Sequence, residues 1–162
     1  MNARGALTSQ AKLADKQGSE EKPSVKILLV EDSKPIRLEN QCVLHNAGYE
    51  VICAEDGEAA LDAAREHRPD LILLDMILPK MSGPEVLHHL KQEDATKDIP
   101  VVVLSSLTER NRQKLLDEGA EEYIEKNTLM PMPGMNLLPK MLETIIGQIK
   151  RKRGGAAAKG SS

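Results

Sequence analysis

The clearest pattern along the chain is a set of short apolar runs that do not alternate with polar residues and that end on polar side chains. Leu71-Ile72-Leu73-Leu74-Asp75-Met76 is the sharpest, with five apolar residues around one carboxylate. A run without alternation suits a strand buried on both faces, as in a parallel sheet covered by helices. The run from Val25 to Val30 has the same character and ends in Glu31-Asp32, and Ile99 to Leu104 ends in Ser105-Ser106. Two shorter strands complete the set: Glu50 to Ala54, and Glu121 to Glu125 followed by Lys126.

Between these runs the apolar positions recur at helical spacing. Ser33 is placed to cap a first helix and Pro35 suits its first turn. That helix runs to about Ala47, with Ile36, Val43, Leu44 and Ala47 on one face and Gly48 closing it; Asn40 interrupts the stripe. Asp56-Gly57 is a turn, and Glu58 to His67 is a second helix whose four alanines allow close approach to a sheet. Pro84 to Gln92 is a third, with Val86, Leu87 and Leu90 inward. A fourth, capped by Ser106 or Thr108, runs to about Glu118. It is polar nearly all round and anchored mainly by Leu115 and Leu116, so it should be weakly held and able to shift. Asn127 to Met135 is a loop. Leu138, Met141, Leu142, Ile145 and Ile149 then mark a last amphipathic helix closed by Gly154-Gly155. Five strands alternating with five helices predict an α/β fold with a doubly wound parallel sheet. Residues 1–24 carry no sustained apolar stripe and are expected to be a disordered or loosely ordered arm; 25–153 form the folded domain and 154–162 a disordered tail.

Composition narrows the function. The chain has 162 residues, which fits one domain with tails. It has no Trp, no Phe and two Tyr, so its core is aliphatic and its composition argues against a platform for stacking single-stranded bases. From Ser24 to Ile149 there are 22 acids and 13 bases, a net of −9, which disfavours direct DNA binding and favours a cation or basic partners. The only cysteines, Cys42 and Cys53, have no metal-ligand spacing and are expected to be packed thiols in a reducing compartment. No run is long enough for a membrane span and no secretory leader is evident, so the reading is cytoplasmic, without membrane insertion. The basic run Lys150 to Arg153 sits at a helix C-terminus, where cations are favoured. The four histidines show no i, i+4 metal pair.

Glu31-Asp32, Asp75, Ser105 and Lys126 all stand at carboxyl ends of strands, where ligands gather in open α/β sheets. Singly, each has a plainer role: a solvated strand end, a turn or helix cap, a lysine paired with any nearby acid. Together and in this order the signs are specific. They comprise an acidic pair after strand one, Asp75 to Gly83 in the pattern D-M-x-x-P-x-M-x-G, Ser105 after strand four, and Gly119-Ala120-x-x-Tyr123-x-x-Lys126. The set resembles the receiver domain of two-component response regulators, over about Val25 to Ile149.

The resemblance implies a flavodoxin-like strand order, 2-1-3-4-5, with helices on both faces. It implies that Asp75 is the phosphorylation site, receiving a phosphoryl group from a histidine kinase or a histidine phosphotransfer protein. Mg²⁺ would be held by Glu31, Asp32, Asp75 and the Ile77 backbone carbonyl. Three carboxylates at one edge repel one another unless a cation is present, and Mg²⁺ is hard and prefers oxygen. Lys126 and Ser105 would contact the phosphoryl oxygens, and Tyr123 would act with Ser105 as the switch. Such a protein is a phosphoacceptor in a two-component system or phosphorelay rather than an enzyme in the usual sense, with self-phosphorylation and slow autodephosphorylation only. Ile77 and Leu107, two residues after Asp75 and Ser105, cannot orient a hydrolytic water. The resemblance also allows a homodimer through the last two helices and the edge strand, and a downstream protein partner. No output module follows in this chain, so it reads as a stand-alone receiver.

Three departures from the pattern matter. Asn127 stands where most receivers have a proline with a cis bond. A cis bond before a non-proline costs about 3 kcal/mol, so a trans bond is expected at Lys126-Asn127. The loop from Asn127 to Met135 is longer, and Glu31 replaces an aspartate of many relatives. The rival readings are a receiver-fold scaffold that is not phosphorylated, and a phosphohydrolase with an aspartyl intermediate. The latter would need a second acid where Ile77 stands.

Overall fold

The structure is a computed structural model and describes residues 24–106 and 111–160. Strands β1 (Lys26–Val30), β2 (Glu50–Ala54), β3 (Leu71–Asp75), β4 (Val101–Ser105) and β5 (Glu122–Glu125) form one sheet in the order β2-β1-β3-β4-β5. Every neighbouring pair is parallel. The helices described are α1 (Lys34–Asn46), α2 (Gly57–His67), α3 (Gly83–Gln92), α4 (Arg112–Asp117), α5 (Lys126–Leu129) and α6 (Leu138–Gly160).

Each central strand is buried on both faces, and its alternation divides the core in two. Leu28, Val30, Ile72, Leu74, Val101 and Val103 face a cluster completed by Ala60, Leu61 and Ala64 of α2, Val86, Leu87 and Leu90 of α3, and Leu115 of α4. Ile27, Leu29, Leu71, Leu73, Val102 and Leu104 face the other, completed by Leu44 of α1 and Leu138, Leu142 and Ile145 of α6. Helices therefore cover both faces, and the unbroken apolar runs follow from that. The chain turns from β2 back across β1 to β3, so the β1/β3 crevice is the switch point of the sheet.

Local chemistry sets the helix starts. Asp56 does not merely turn the chain: its carboxylate accepts the Ala59 N–H at 2.8 Å and caps α2. Ser82 and Glu85 form a reciprocal capping box at α3. Gly83 must be glycine, because a Cβ there would press on the Asp75 carbonyl oxygen and the Met76 backbone. Ser33 occupies the N-cap of α1, but its side chain makes no capping bond.

Several expectations are corrected. The inward face of α1 is Asn40 and Leu44, while Ile36 is 36% exposed and Ala47 is exposed. Asn40 is buried because its side-chain oxygen accepts the Asn136 Nδ2–H at 3.0 Å, tying α1 to the segment before α6. The expected loop after Lys126 begins with the helical turn α5, whose Leu129 plugs the second core cluster. The last helix does not close at Gly154-Gly155, and its backbone continues to Gly160. Cys42 is exposed rather than packed, Cys53 is half-buried, and both are free thiols. The Lys126-Asn127 bond is trans, as its sequence requires. The arm, Leu107 and the start expected for the fourth helix lie outside the described residues.

Candidate functional site

At the carboxyl edge of the sheet, β1 delivers Glu31 and Asp32 while β3 delivers Asp75. Because Val30 pairs with Leu74, the residues that follow emerge side by side. Carboxylate oxygens of Glu31, Asp32 and Asp75 lie within 4.8 Å of one another. Glu31 and Asp75 are buried, at 2% and 5% exposure, whereas Asp32 faces solvent.

Lys126 enters from the end of β5. Its ammonium donates to Asp75 Oδ2 at 2.8 Å and to Glu31 Oε1 at 2.8 Å. The fifth strand thus brings a residue 51 positions away from Asp75 in sequence onto the same oxygens. Asp75 Oδ1 accepts the Ile77 N–H at 3.1 Å, and Glu31 Oε2 accepts the Ser33 N–H at 3.2 Å. Ser105 is buried at the end of β4, one residue beyond Leu104, the register partner of Asp75. Tyr123, on β5, is buried in the cluster under α2, α3 and α4.

The electrostatics follow from burial and pairing. Burial pushes the Glu31 carboxyl above the usual range; the Lys126 hydrogen bond pulls it back, and the neighbouring Asp75 raises it further. Burial alone would lower the Lys126 amine, but its bonds to Asp75 and Glu31 outweigh that and hold it above the ordinary lysine value. Three carboxylates around one ammonium leave two negative charges uncompensated. An all-oxygen donor set suits a hard divalent cation, and oxygens within 4.8 Å are near the roughly 3–4 Å that two ligands on one Mg²⁺ span. The residues present therefore fit such an ion.

All four strand ends singled out in the sequence reach this edge. One residue was missed. Arg37, on α1, donates from Nη1 to the carbonyl oxygens of Glu31 at 2.9 Å and Asp32 at 3.4 Å. Helical side chains lean back over the preceding turn, so an arginine one turn into a helix that follows an acidic pair is the signal that would have found it.

The sequence profile of the response regulator receiver domain matches residues 27–131. The chain belongs to this family. Among relatives, this receiver is 45% identical over 102 residues to the phosphate regulon transcriptional regulatory protein PhoB of Escherichia coli, a match covering 62% of this chain and 44% of the relative. It thus spans less than half the length of that regulator. The polar-differentiation response regulator DivK of Brucella anthropi is 38% identical over 106 residues, covering 65% of this receiver and 86% of the relative. Among solved structures, the chemotaxis response regulator CheY4 of Vibrio cholerae superposes with a TM-score of 0.63 at 30% identity, covering 79% of this receiver and 98% of that chain. The BeF3-activated receiver domain of Klebsiella pneumoniae RstA superposes with a TM-score of 0.64 at 29% identity, covering 74% and 96%. Among the described residues, no helix is long and apolar enough to cross a membrane.

Proposed function

We propose that this receiver is a phosphoacceptor switch in which Asp75 takes a phosphoryl group from a phosphohistidine of a sensor kinase or a phosphotransfer protein, in a cytoplasmic setting. The observation that carries the reading is the Lys126 ammonium, 2.8 Å from both Asp75 and Glu31 at the β1/β3 crevice.

Glu31, Asp32, Asp75 and the Ile77 carbonyl would hold Mg²⁺. When bound, that ion supplies positive charge to the phosphoryl oxygens. Asp75 provides the nucleophile: a carboxylate oxygen forms a bond to phosphorus as the bond to the donor nitrogen breaks, leaving an acyl phosphate and a free imidazole. Lys126 moves no proton in this step. Its ammonium pairs with Asp75 beforehand and with a phosphoryl oxygen afterwards. The Ser105 hydroxyl donates to another phosphoryl oxygen. Tyr123 responds to that movement, and the few apolar anchors of α4 let the surface of α4 and β5 shift toward a partner-binding state. A downstream protein reads that surface.

A scaffold that is never phosphorylated has no use for two buried acids sharing one lysine, since such groups cost stability that packed apolar residues would not. The test is incubation with Mg²⁺ and acetyl phosphate, followed by intact-protein mass measurement. A lasting single phosphoryl adduct that Asp75→Asn abolishes supports the switch. No adduct supports the scaffold, and rapid multiple turnover supports a phosphohydrolase.

A further inference from the structure

The three acids of the site are not fixed in the same way. Glu31 is held by Lys126 and the Ser33 N–H, and Asp75 by Lys126 and the Ile77 N–H. The Asp32 carboxylate is exposed, and among the described residues nothing is bonded to it. Its direction therefore depends on its backbone.

That backbone is tied to the fold through carbonyls. Arg37 Nη1 bridges the Glu31 and Asp32 carbonyl oxygens, at 2.9 and 3.4 Å. The Arg37 side chain is 15% exposed, its own N–H bonds the Ser33 carbonyl at 2.8 Å, and its Nη2 lies 3.8 Å from Glu55. The Glu55 pair is loose and its acid 71% exposed, so it steadies the guanidinium little. The firm contact is the one to the Glu31 carbonyl, and the longer one to the Asp32 carbonyl extends it along the turn.

We infer that Arg37 is a positioning residue: it clamps the turn after β1 by its two carbonyls and so aims the Asp32 carboxylate at the cation. The inference rests on the Mg²⁺ reading given above. Two roles for Arg37 make opposite predictions. As a clamp it strengthens cation binding, because it removes the freedom of one ligand. As a mere positive charge near the site it would weaken binding by repulsion.

The experiment is a calorimetric titration of Mg²⁺ into the wild-type chain, Arg37→Ala and Arg37→Lys, with thermal unfolding of each in chelator. Outer partners of metal ligands commonly contribute about 10- to 100-fold in affinity. The clamp predicts Mg²⁺ binding roughly tenfold weaker in Arg37→Ala. Arg37→Lys keeps the charge on a shorter side chain that reaches the two carbonyls less well, and falls between the two. Unchanged or tighter binding in Arg37→Ala overturns the clamp, even if its unfolding temperature in chelator falls. If Arg37→Ala does not fold, Arg37→Lys carries the test, and wild-type affinity there overturns it. A wild-type chain that takes up no Mg²⁺ overturns the site reading itself, a result distinguishable from wild-type binding with unaffected variants.

Discussion

The Lys126 ammonium lies 2.8 Å from Asp75 Oδ2 while the strands that present the two residues are separated by β4. The long lysine side chain spans that gap from the sheet edge to the switch point. It lands on Glu31 as well, so one cation serves two buried anions. Such a pair is stable only while the amine is present or another cation replaces it.

Lys126→Met should therefore destabilise the protein in chelator by about 2–3 kcal/mol, less than the roughly 3–5 for a fully buried pair because the lysine is 23% exposed. Mg²⁺ should recover more stability in the variant than in the wild-type chain, since a divalent ion relieves the same repulsion. Urea unfolding with and without Mg²⁺ measures both effects. Equal unfolding free energies for the two proteins in chelator would contradict the pairing.

Asp56 gives a stability that depends on acid. The Ala59 N–H and then Lys80 hold its carboxyl below the ordinary value of 3.8, against burial. A folded-state pKa lowered in this way contributes stability that is fully present above 3.8 and lost as pH falls through the lower folded value. Asp56→Asn keeps a capping acceptor without the charge. Wild type should be the more stable at pH 7, with the gap closing in acid. Asp56→Ala should cost about 1 kcal/mol through loss of the cap. Urea midpoints across the acid range decide it, and a gap between Asp56 and Asn that persists unchanged below the folded value contradicts it.

The Asn40–Asn136 bond predicts coupling between α1 and the segment before α6. Removing Asn136 alone strands a buried amide on α1. Replacing both by leucine removes the need for the bond. The double-mutant cycle should show a coupling energy of about 0.5–1.5 kcal/mol, and additive single effects would show that the bond is not stabilising.

Ile77 is 59% exposed beside Asp75 and offers no group to orient water. Ile77→Asn should shorten the lifetime of the acyl phosphate without changing the rate at which it forms. Loss of the phosphoryl group followed by mass after removal of donor checks this; an unchanged lifetime argues against a role for that side chain.

Much of this was legible because two-sided burial writes itself as unbroken apolar runs. Leu71 to Leu74 and Val101 to Leu104 could be nothing but buried strands once helices surround them, and their polar ends then share an edge. Side-chain reach was not legible. That Lys126 touches both Glu31 and Asp75 depends on strand order and rotamer, which sequence spacing does not encode. Asn40 broke the apolar stripe of α1 because its partner lies 96 residues away. Arg37 was passed over because its targets are carbonyls, which every residue carries. The glycines at 154 and 155 misled in the other direction: a helix-breaking tendency of about 1 kcal/mol each is a weak stop signal.

The proposed switch places acids, lysine and phosphoryl group together at Asp75. The most direct measurement is to phosphorylate with acetyl phosphate and Mg²⁺, reduce the acyl phosphate with borohydride, and map the modified peptide. The reduced residue should be found at position 75, and only when Mg²⁺ was present. Modification at Glu31 or Asp32 instead, or none at all, would rule out Asp75 as the phosphoacceptor.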